Sequence, residues 1–216
     1  MRLLRLPGVF RPRSDTWLLA AVLRDQPQVH GGAVLDVCTG SGALAIAAAL
    51  ADARSVTAVD VSSRAVLAAR LNARLNGVRV EALRGDLLDA VPGRRFDVIV
   101  SNPPYLPSAS DRVPARGAAR HTDAGATGRL LLDRLIAAAP AHLAPGGLLL
   151  VTHSSINGEA ATLERIRAAG LEPAVAERRT GELGRLLAAR APELEAKGLL
   201  ARGERREELL VLSGGA

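Results

Sequence analysis

The hydrophobic positions along the chain follow two alternating patterns. Short runs rich in valine, leucine and isoleucine, bounded by polar residues or glycine, predict buried β-strands. The alanine- and leucine-rich stretches between them carry apolar residues at helical spacing. The predicted strands are 33–38, 55–60, 78–83, 96–101, 147–153 and 207–212, and the predicted helices include 43–51, 62–76 and 128–143. This alternation predicts an α/β fold with a mostly parallel sheet and helices on both faces.

Two further segments extend this pattern at the ends of the chain. Within residues 1–30, a first helix is predicted to begin with Ser14 or Asp15 as its N-cap. The stretch that begins with RRTGEL at Arg178 is predicted to open with the end of a further strand. Residues 182–200 are predicted to form a helical insertion before the last strand, with an apolar stripe that packs on the sheet or docks a partner. The stripe consists of Leu183, Leu186, Leu187 and Leu194. Because no linker or repeat interrupts the pattern, we expect a single domain over residues 1–216.

Composition narrows the class of protein. The chain has 216 residues, 48% of them hydrophobic, which is enough for a sizeable core. Its single cysteine, Cys38, excludes an intrachain disulfide and fits a reducing compartment. Apolar runs are too short to cross a membrane, so we predict a cytoplasmic protein without membrane contact. The formal charge of +6 comes from dispersed arginines and leaves an acidic partner open. The histidines lack metal-ligand spacing, and no metal site is predicted.

Polar side chains recur where the predicted strands end. Asp36, Asp60 and Asn102 lie at the ends of three strands, and Asp86 lies just beyond a fourth. In open α/β sheets, ligands bind at the carboxyl ends of the strands. The sequence therefore predicts a ligand site at this edge.

The stretch DVCTGSGALA, residues 36–45, follows the first predicted strand and opens a helix. Gly40 and Gly42 let a ligand approach the backbone, and this pattern also fits a dinucleotide fingerprint with Asp60 as the ribose acid. A carboxylate at Asp36 would be unfavourable beside a pyrophosphate but favourable beside an ammonium group. S-adenosylmethionine (SAM) has an amino-acid end for Asp36, a ribose for Asp60 and an adenine amine for Asp86. The candidate cofactor residues are Asp36, Thr39, Gly40, Gly42, Asp60, Val61, Asp86, Leu87 and Asn102.

The stretch SNPPYLPS, residues 101–108, ends the strand 96–101 with two prolines after an asparagine. Proline cannot donate to a sheet ladder and stiffens the loop. The Asn102 side-chain carbonyl and the Pro103 backbone carbonyl are suited to accept both N–H bonds of a planar NH2 group, while Tyr105 packs against that group. The predicted catalytic residues are Asn102, Pro103, Pro104 and Tyr105. The sequence thus predicts methyl transfer from SAM to a planar NH2 without a strong base.

The combination DVCTGSG, VTAVDVS and FDVIVSNPPYLP resembles the HemK/PrmC family of class I SAM-dependent methyltransferases. The resemblance implies a Rossmann-like fold with a seven-stranded sheet. It also implies a glutamine amide in a translation release factor as the substrate. Residues 9–19 resemble the short N-terminal segment of the eukaryotic and archaeal branch, which places Thr16 near the cofactor. The eukaryotic branch docks a small zinc-binding activator protein, and the resemblance makes residues 182–200 the candidate segment for docking such a partner here.

The chain departs from the family pattern in two places. Thr127 stands where an acidic residue or asparagine is common, and the insertion 182–200 is absent from the shortest members. Three alternatives stay open: an RNA or DNA amino-group methyltransferase, an NAD-dependent oxidoreductase, and a SAM-binding module without catalysis. The first is supported because related enzymes use the same motif on bases. Asp36 argues against the oxidoreductase, and the intact Asn102–Tyr105 loop argues against the last.

Overall fold

A computed structural model of the chain, which describes residues 1–112, 114 and 117–216, shows the alternating strands and helices that the sequence predicts. The strands are β1 (Ala33–Val37), β2 (Ser55–Asp60), β3 (Glu81–Arg84), β4 (Phe96–Ser101), β5 (Leu143–Ser154), β6 (Glu172–Glu182) and β7 (Arg206–Gly215). The helices are α1 (Ser14–Arg24), α2 (Ala43–Leu50), α3 (Ser63–Leu75), α4 (Leu130–Ala138), α5 (Glu159–Ala168) and α6 (Arg185–Ala196).

The strands form one seven-stranded sheet in the order β3-β2-β1-β4-β5-β7-β6. Strands β1 to β5 pair with one another in parallel, and β7 runs antiparallel between β5 and β6. The strand order reverses between β1 and β4, so their loops diverge and leave a crevice at the carboxyl ends. The predicted Rossmann-like class I methyltransferase fold, a mostly parallel seven-stranded sheet, is confirmed.

Helices cover both faces of the sheet. Val34, Val98 and Val100 face α1, α2 and α3, while Leu35 and Ile99 face α4 and α5. Successive residues of a strand point to opposite faces, which explains why the strand runs are apolar at nearly every position.

Several boundaries differ from the prediction. Strand β3 begins at Glu81 rather than 78, because the Val78 amide donates to the Ala73 carbonyl (3.1 Å) and closes the end of α3. Helix α4 ends at Ala138, and a separate turn containing Pro140 follows. Strand β5 begins at Leu143 rather than 147 and reaches Ser154, and β6 is a full strand where only its end was expected.

The first and sixth helices also correct the prediction. Helix α1 begins at Ser14 with Arg13 as its N-cap, and the Thr16 hydroxyl accepts from the Arg13 amide (3.4 Å), so neither Ser14 nor Asp15 is the cap. Helix α6 lies in the predicted insertion, but it packs on Leu106 and Ile156 rather than on the sheet. Among the described residues, no helix is long and apolar enough to span a membrane.

Candidate active site

A cavity of about 360 Å³ lies at the carboxyl ends of the strands. Among the predicted residues, the cavity is lined by Thr16, Thr39, Gly40, Asp60, Val61, Asp86, Leu87, Asn102, Pro103, Pro104 and Tyr105. We call the part that follows β1, β2 and β3 the β1–β3 side. The part formed by the loop after β4, by α6 and by β7 is the β4–β7 side. Asp36 and Gly42 do not line the cavity.

The glycine loop after β1 shows why those two residues lie outside. A side chain at Gly42 (φ 83°) would place its Cβ 2.9 Å from the Ala69 Cα, so this glycine allows the loop to pack on α3. A Cβ at Gly40 (φ 55°) would meet no atom closer than 4.0 Å, which leaves the Gly40 backbone open to a ligand. Gly40 is therefore the glycine that faces the cavity.

Asp36 supports this loop from below. Its Oδ2 accepts from the Thr39 hydroxyl (2.5 Å) and from the Ala45 amide (3.0 Å). Its Oδ1 is buried without a hydrogen-bond partner. Burial raises the pKa of Asp36 from 3.8 to about 7, with a smaller contribution from the nearby Asp60 charge. Asp36 thus acts as a cap for the loop, and the structure does not show the predicted direct access of a ligand to its carboxylate.

Asp60 is held at the end of β2 by two backbone amides. Its Oδ2 accepts from Gly40 (2.9 Å) and its Oδ1 from Ser62 (2.8 Å). The next residue, Val61, is 42% exposed and lines the cavity. The β1–β3 side therefore combines a fixed carboxylate with an open apolar surface.

Asp86 pairs with Arg134 of α4, whose Nη2 lies 2.7 Å from the Asp86 Oδ2. Leu87 has a positive φ of 47°, a conformation that costs energy for a residue with a side chain. Such strain concentrates at ligand sites, and Leu87 does line the cavity. Arg134 was not predicted as a site residue, because its contact with Asp86 joins residues 48 positions apart.

The Asn102 side chain is oriented by the first turn of α1. Its Nδ2 donates to the Thr16 hydroxyl (3.0 Å), and that hydroxyl lies 3.3 Å from the Asp15 Oδ1. With the amide nitrogen engaged in this way, the Asn102 Oδ1 is the atom left to accept from a ligand in the cavity. Asn102 thus lines the cavity with its amide nitrogen bound to Thr16 and its carbonyl oxygen available as an acceptor.

Tyr105 is held by the same turn, since its hydroxyl donates to the Asp15 Oδ2 (2.9 Å). Burial, followed by the negative charge of Asp15, raises the pKa of Tyr105 well above its usual value of 10. The phenol consequently stays neutral and keeps its proton at ordinary pH. The sequence suggested Asp15 only as a helix cap. In the structure it contacts the Thr16 hydroxyl that binds Asn102, and it accepts the hydrogen bond of Tyr105 directly.

The backbone of the loop after β4 is held by hydrogen bonds from Asn157, which lies after β5. The Asn157 Nδ2 donates to the carbonyl oxygens of Tyr105 (2.7 Å) and Thr127 (3.2 Å). A Cβ at Gly128 would lie 2.1 Å from the Tyr105 oxygen, so only glycine allows this approach. Thr127 takes part through its backbone, which explains how the departure from the family pattern leaves these hydrogen bonds intact.

Helix α6 forms a wall of the β4–β7 side through Leu186 and Leu187. It is tied to the loop after β4, because Arg190 donates to the Pro107 carbonyl (2.7 Å) and to the Asp123 Oδ1 (2.9 Å). The insertion is therefore a structural part of the cavity.

Two titratable groups near the cavity are unsuited to catalysis. Burial raises the pKa of the Cys38 thiol, so it remains protonated. Burial lowers the pKa of His153 to about 4, and its Nδ1 lies 2.8 Å from the Ser154 carbonyl, so this histidine is neutral and structural. Within the part of the chain that the structure describes, no cluster of potential metal ligands is found.

A seven-stranded sheet with β7 reversed, together with a cavity that ends in an Asn-Pro-Pro-Tyr loop, defines a class I methyltransferase. The methyltransferase small domain family matches residues 1–116. The chain belongs to this family and, within it, to the HemK/PrmC-like SAM-dependent methyltransferases, which confirms the resemblance inferred from the sequence.

Two sequence relatives and one solved structure illustrate the similarity. A Methanocaldococcus jannaschii protein, provisionally named a protein N5-glutamine methyltransferase, is 35% identical over 80% of this chain and 85% of its own length. The release factor glutamine methyltransferase of Deinococcus radiodurans is 42% identical over 79% of this chain, but the match spans only 63% of that relative. The solved structure is the E. cuniculi Mtq2–Trm112 complex, which is responsible for methylation of the termination factor eRF1. The match has a TM-score of 0.65 at 22% identity and covers 96% of this chain and 98% of the solved chain, which shows a shared fold.

Proposed function

We propose that this enzyme transfers the methyl group of SAM to the side-chain amide nitrogen of a glutamine in a protein, and that the protein is a translation release factor. The observation that carries the proposal is the orientation of Asn102, whose Nδ2 donates to Thr16 (3.0 Å) and leaves Oδ1 free for the cavity. The names of the sequence relatives support the choice of a glutamine amide.

The residues of the β1–β3 side fit SAM. Gly40 offers open backbone, Asp60 is a fixed acceptor for ribose hydroxyls, and Val61 with Leu87 provides apolar surface for a purine. Ser41 lines the cavity with a buried hydroxyl that has no partner, so it is available to the polar amino-acid end. When bound, SAM supplies an electrophilic methyl group on a positively charged sulfur.

The residues of the loop after β4 orient the acceptor. Asn102 Oδ1 and the Pro103 carbonyl accept the two N–H bonds of the glutamine amide, which holds the nitrogen in one orientation and raises its electron density. The prolines hold these acceptors in place before the substrate arrives. Tyr105, neutral and fixed by Asp15, packs against the flat amide and takes no proton. The nitrogen gains the methyl group and loses one proton, which is released to solvent.

The proposal extends to the organisation of the protein and its partners. Residues 1–216 act as one catalytic domain, since β6 and β7 at the end of the chain complete the sheet that begins with β1. A small activator protein is a candidate partner, because Mtq2 was solved in complex with Trm112.

The test is a transfer assay with methyl-tritiated SAM and a purified release factor, with Asn102→Ala as the blank. We expect label on the release factor, and mass spectrometry should find one added methyl group on a glutamine. A parallel assay with cell extract is divided between protease and nuclease. Label that only nuclease removes would replace the protein acceptor by RNA or DNA. Adding a Trm112-type protein tests whether activity depends on an activator.

A further inference from the structure

Glu207 is a buried carboxylate with unused hydrogen-bonding capacity. It lies near the start of β7, is 7% exposed and lines the cavity. Its Oε1 accepts from the Gly184 amide (2.7 Å), whereas its Oε2 is buried without a partner. A buried oxygen of this kind costs free energy, so its retention beside a cavity indicates a ligand that supplies a donor.

The position of Glu207 separates it from the β1–β3 side. In the sheet, β7 lies three strands from β1, a separation of about 14 Å at the usual strand spacing. Near Glu207, the cavity is lined by Leu186, Leu187 and Leu209, and the Glu207 charge is close enough to act on Tyr105. The carboxylate therefore belongs to the β4–β7 side, where the acceptor enters.

The chemistry of the site selects among acceptors. Arg13, Arg120 and His121 also line the cavity, and Asp15 is engaged by Tyr105. Glu207 differs from these because it is fixed by Gly184 and keeps one acceptor oxygen free. A carboxylate in an apolar wall attracts N–H donors and repels phosphate groups.

We propose that the Glu207 Oε2 accepts a hydrogen bond from an N–H group of the acceptor polypeptide beside the methylated glutamine, and thereby selects a polypeptide over a nucleic acid. This inference rests on the proposed function. The donor is a backbone amide or the cationic side chain of a neighbouring residue, and both supply the same N–H chemistry.

The test uses Glu207→Gln, a substitution of nearly unchanged shape. The glutamine carbonyl keeps the bond from Gly184, while its NH2 replaces the free Oε2, so an acceptor becomes a donor at one atom. Glu208→Gln is the matched control, because Glu208 is the next residue on β7 and pairs with Arg178 outside the cavity. Both variants are assayed on a purified release factor, together with SAM affinity and thermal stability.

We expect Glu207→Gln to raise the KM for the release factor by about tenfold. The substitution removes the hydrogen bond to the acceptor polypeptide and places the glutamine NH2 against the N–H group of that polypeptide, so that two donors face each other. The kcat at saturating acceptor and the affinity for SAM should change less than about twofold, since neither depends on this oxygen in the proposal. Glu208→Gln should leave all three quantities close to wild type. A purely structural role would instead lower thermal stability and kcat without a selective rise in KM.

Peptides spanning the methylated glutamine identify the donor. One series carries a backbone N-methyl group at each flanking residue, and the other replaces each flanking lysine or arginine by alanine. The modification that removes the true donor should raise KM in the wild type but not in Glu207→Gln. If the wild type labels no polypeptide, the proposed function fails and this inference fails with it. If the wild type is active and Glu207→Gln has an unchanged KM, the inference alone is overturned.

Discussion

The two sides of the cavity are assembled from different distances along the chain. On the β1–β3 side, Asp60 ends β2, while Gly40 and Leu87 follow β1 and β3. These strands are neighbours in the sheet, and the Gly40 amide donates to Asp60 across one such pair. On the β4–β7 side, Asn102 depends on Thr16, which lies 86 residues away, and the Tyr105 carbonyl depends on Asn157, 52 residues away. The first side depends on local strand ends, whereas the second depends on long-range hydrogen bonds.

This difference has a consequence for mutation. A change on the β1–β3 side should alter the affinity for SAM, because the proposed function assigns this side to the cofactor. A change on the β4–β7 side should alter turnover or the KM for the acceptor, even where the residue touches neither molecule. The following variants test this division.

Asn102→Ala should have the largest effect. Removing the carbonyl that orients the acceptor should lower kcat by about 10³-fold, comparable to the loss of one preorganised hydrogen-bonding group in other active sites. Binding of SAM, measured by calorimetry, should remain nearly intact. A variant that kept full activity would falsify the catalytic assignment of this loop.

Asp36→Asn should change the pH dependence of stability. The folded-state pKa of Asp36, about 7, lies above the ordinary value of 3.8. The folded protein therefore holds a proton that the unfolded chain has released, and this contribution to stability is fully present below about pH 4 and is lost as pH rises through about 7. The free energy of unfolding should fall by on the order of 4 kcal/mol across this range from this group.

Urea unfolding of the wild type and the variant at several pH values checks this expectation. Asparagine carries no titrating proton, so the variant should show a flatter profile between about pH 4 and about pH 7. Parallel profiles for the two proteins would mean that Asp36 is not the group responsible.

Asp60→Ala should weaken SAM binding by about 2 kcal/mol, because it removes an acceptor for the ribose and frees the amides of Gly40 and Ser62. The KM for the release factor should change little. Calorimetric titration with SAM and acceptor kinetics at saturating SAM separate the two quantities. An unchanged affinity for SAM combined with a raised acceptor KM would reverse the assignment of the two sides.

Thr16→Val should have the smallest effect of the series. Valine has the shape of threonine but cannot accept from the Asn102 Nδ2, so kcat should fall by about tenfold, or about 1.4 kcal/mol. Thr16→Ser retains the hydroxyl and should restore most of the activity. The resemblance to the family placed Thr16 near the cofactor, and a loss of SAM affinity without a loss of kcat would favour that role over the positioning of Asn102.

The predicted strands and helices agree with the structure where a short local sequence pattern determines their bounds. The strand over 96–101 is correct because an apolar run is ended by Pro103 and Pro104, which cannot join a ladder. Strand β6 was recognised only at its end, because most of its side chains are exposed and give no apolar pattern. Its place in the sheet depends on pairing with β7, which the sequence does not display.

The candidate site shows the same division. The strand-end residues Asp60 and Asn102 line the cavity as predicted, but Asp36 lies below the loop because its strand position points it toward α2. Asp15 and Asn157 were missed as site residues. Their only signal would have been the fold itself, which brings the start of α1 and the end of β5 to the same loop.

The sequence by itself determined the α/β class, the strand ends that carry polar side chains and the Asn-Pro-Pro-Tyr loop, because periodicity and proline act over a few residues. The tertiary structure alone decided which way the Asn102 amide points, that Asp36 is a support for the loop, and that Glu207 lines the cavity with one oxygen unpaired. These properties depend on burial and on hydrogen bonds between segments far apart in the chain. Such contacts exist only once the chain has folded and the helices have packed on the sheet.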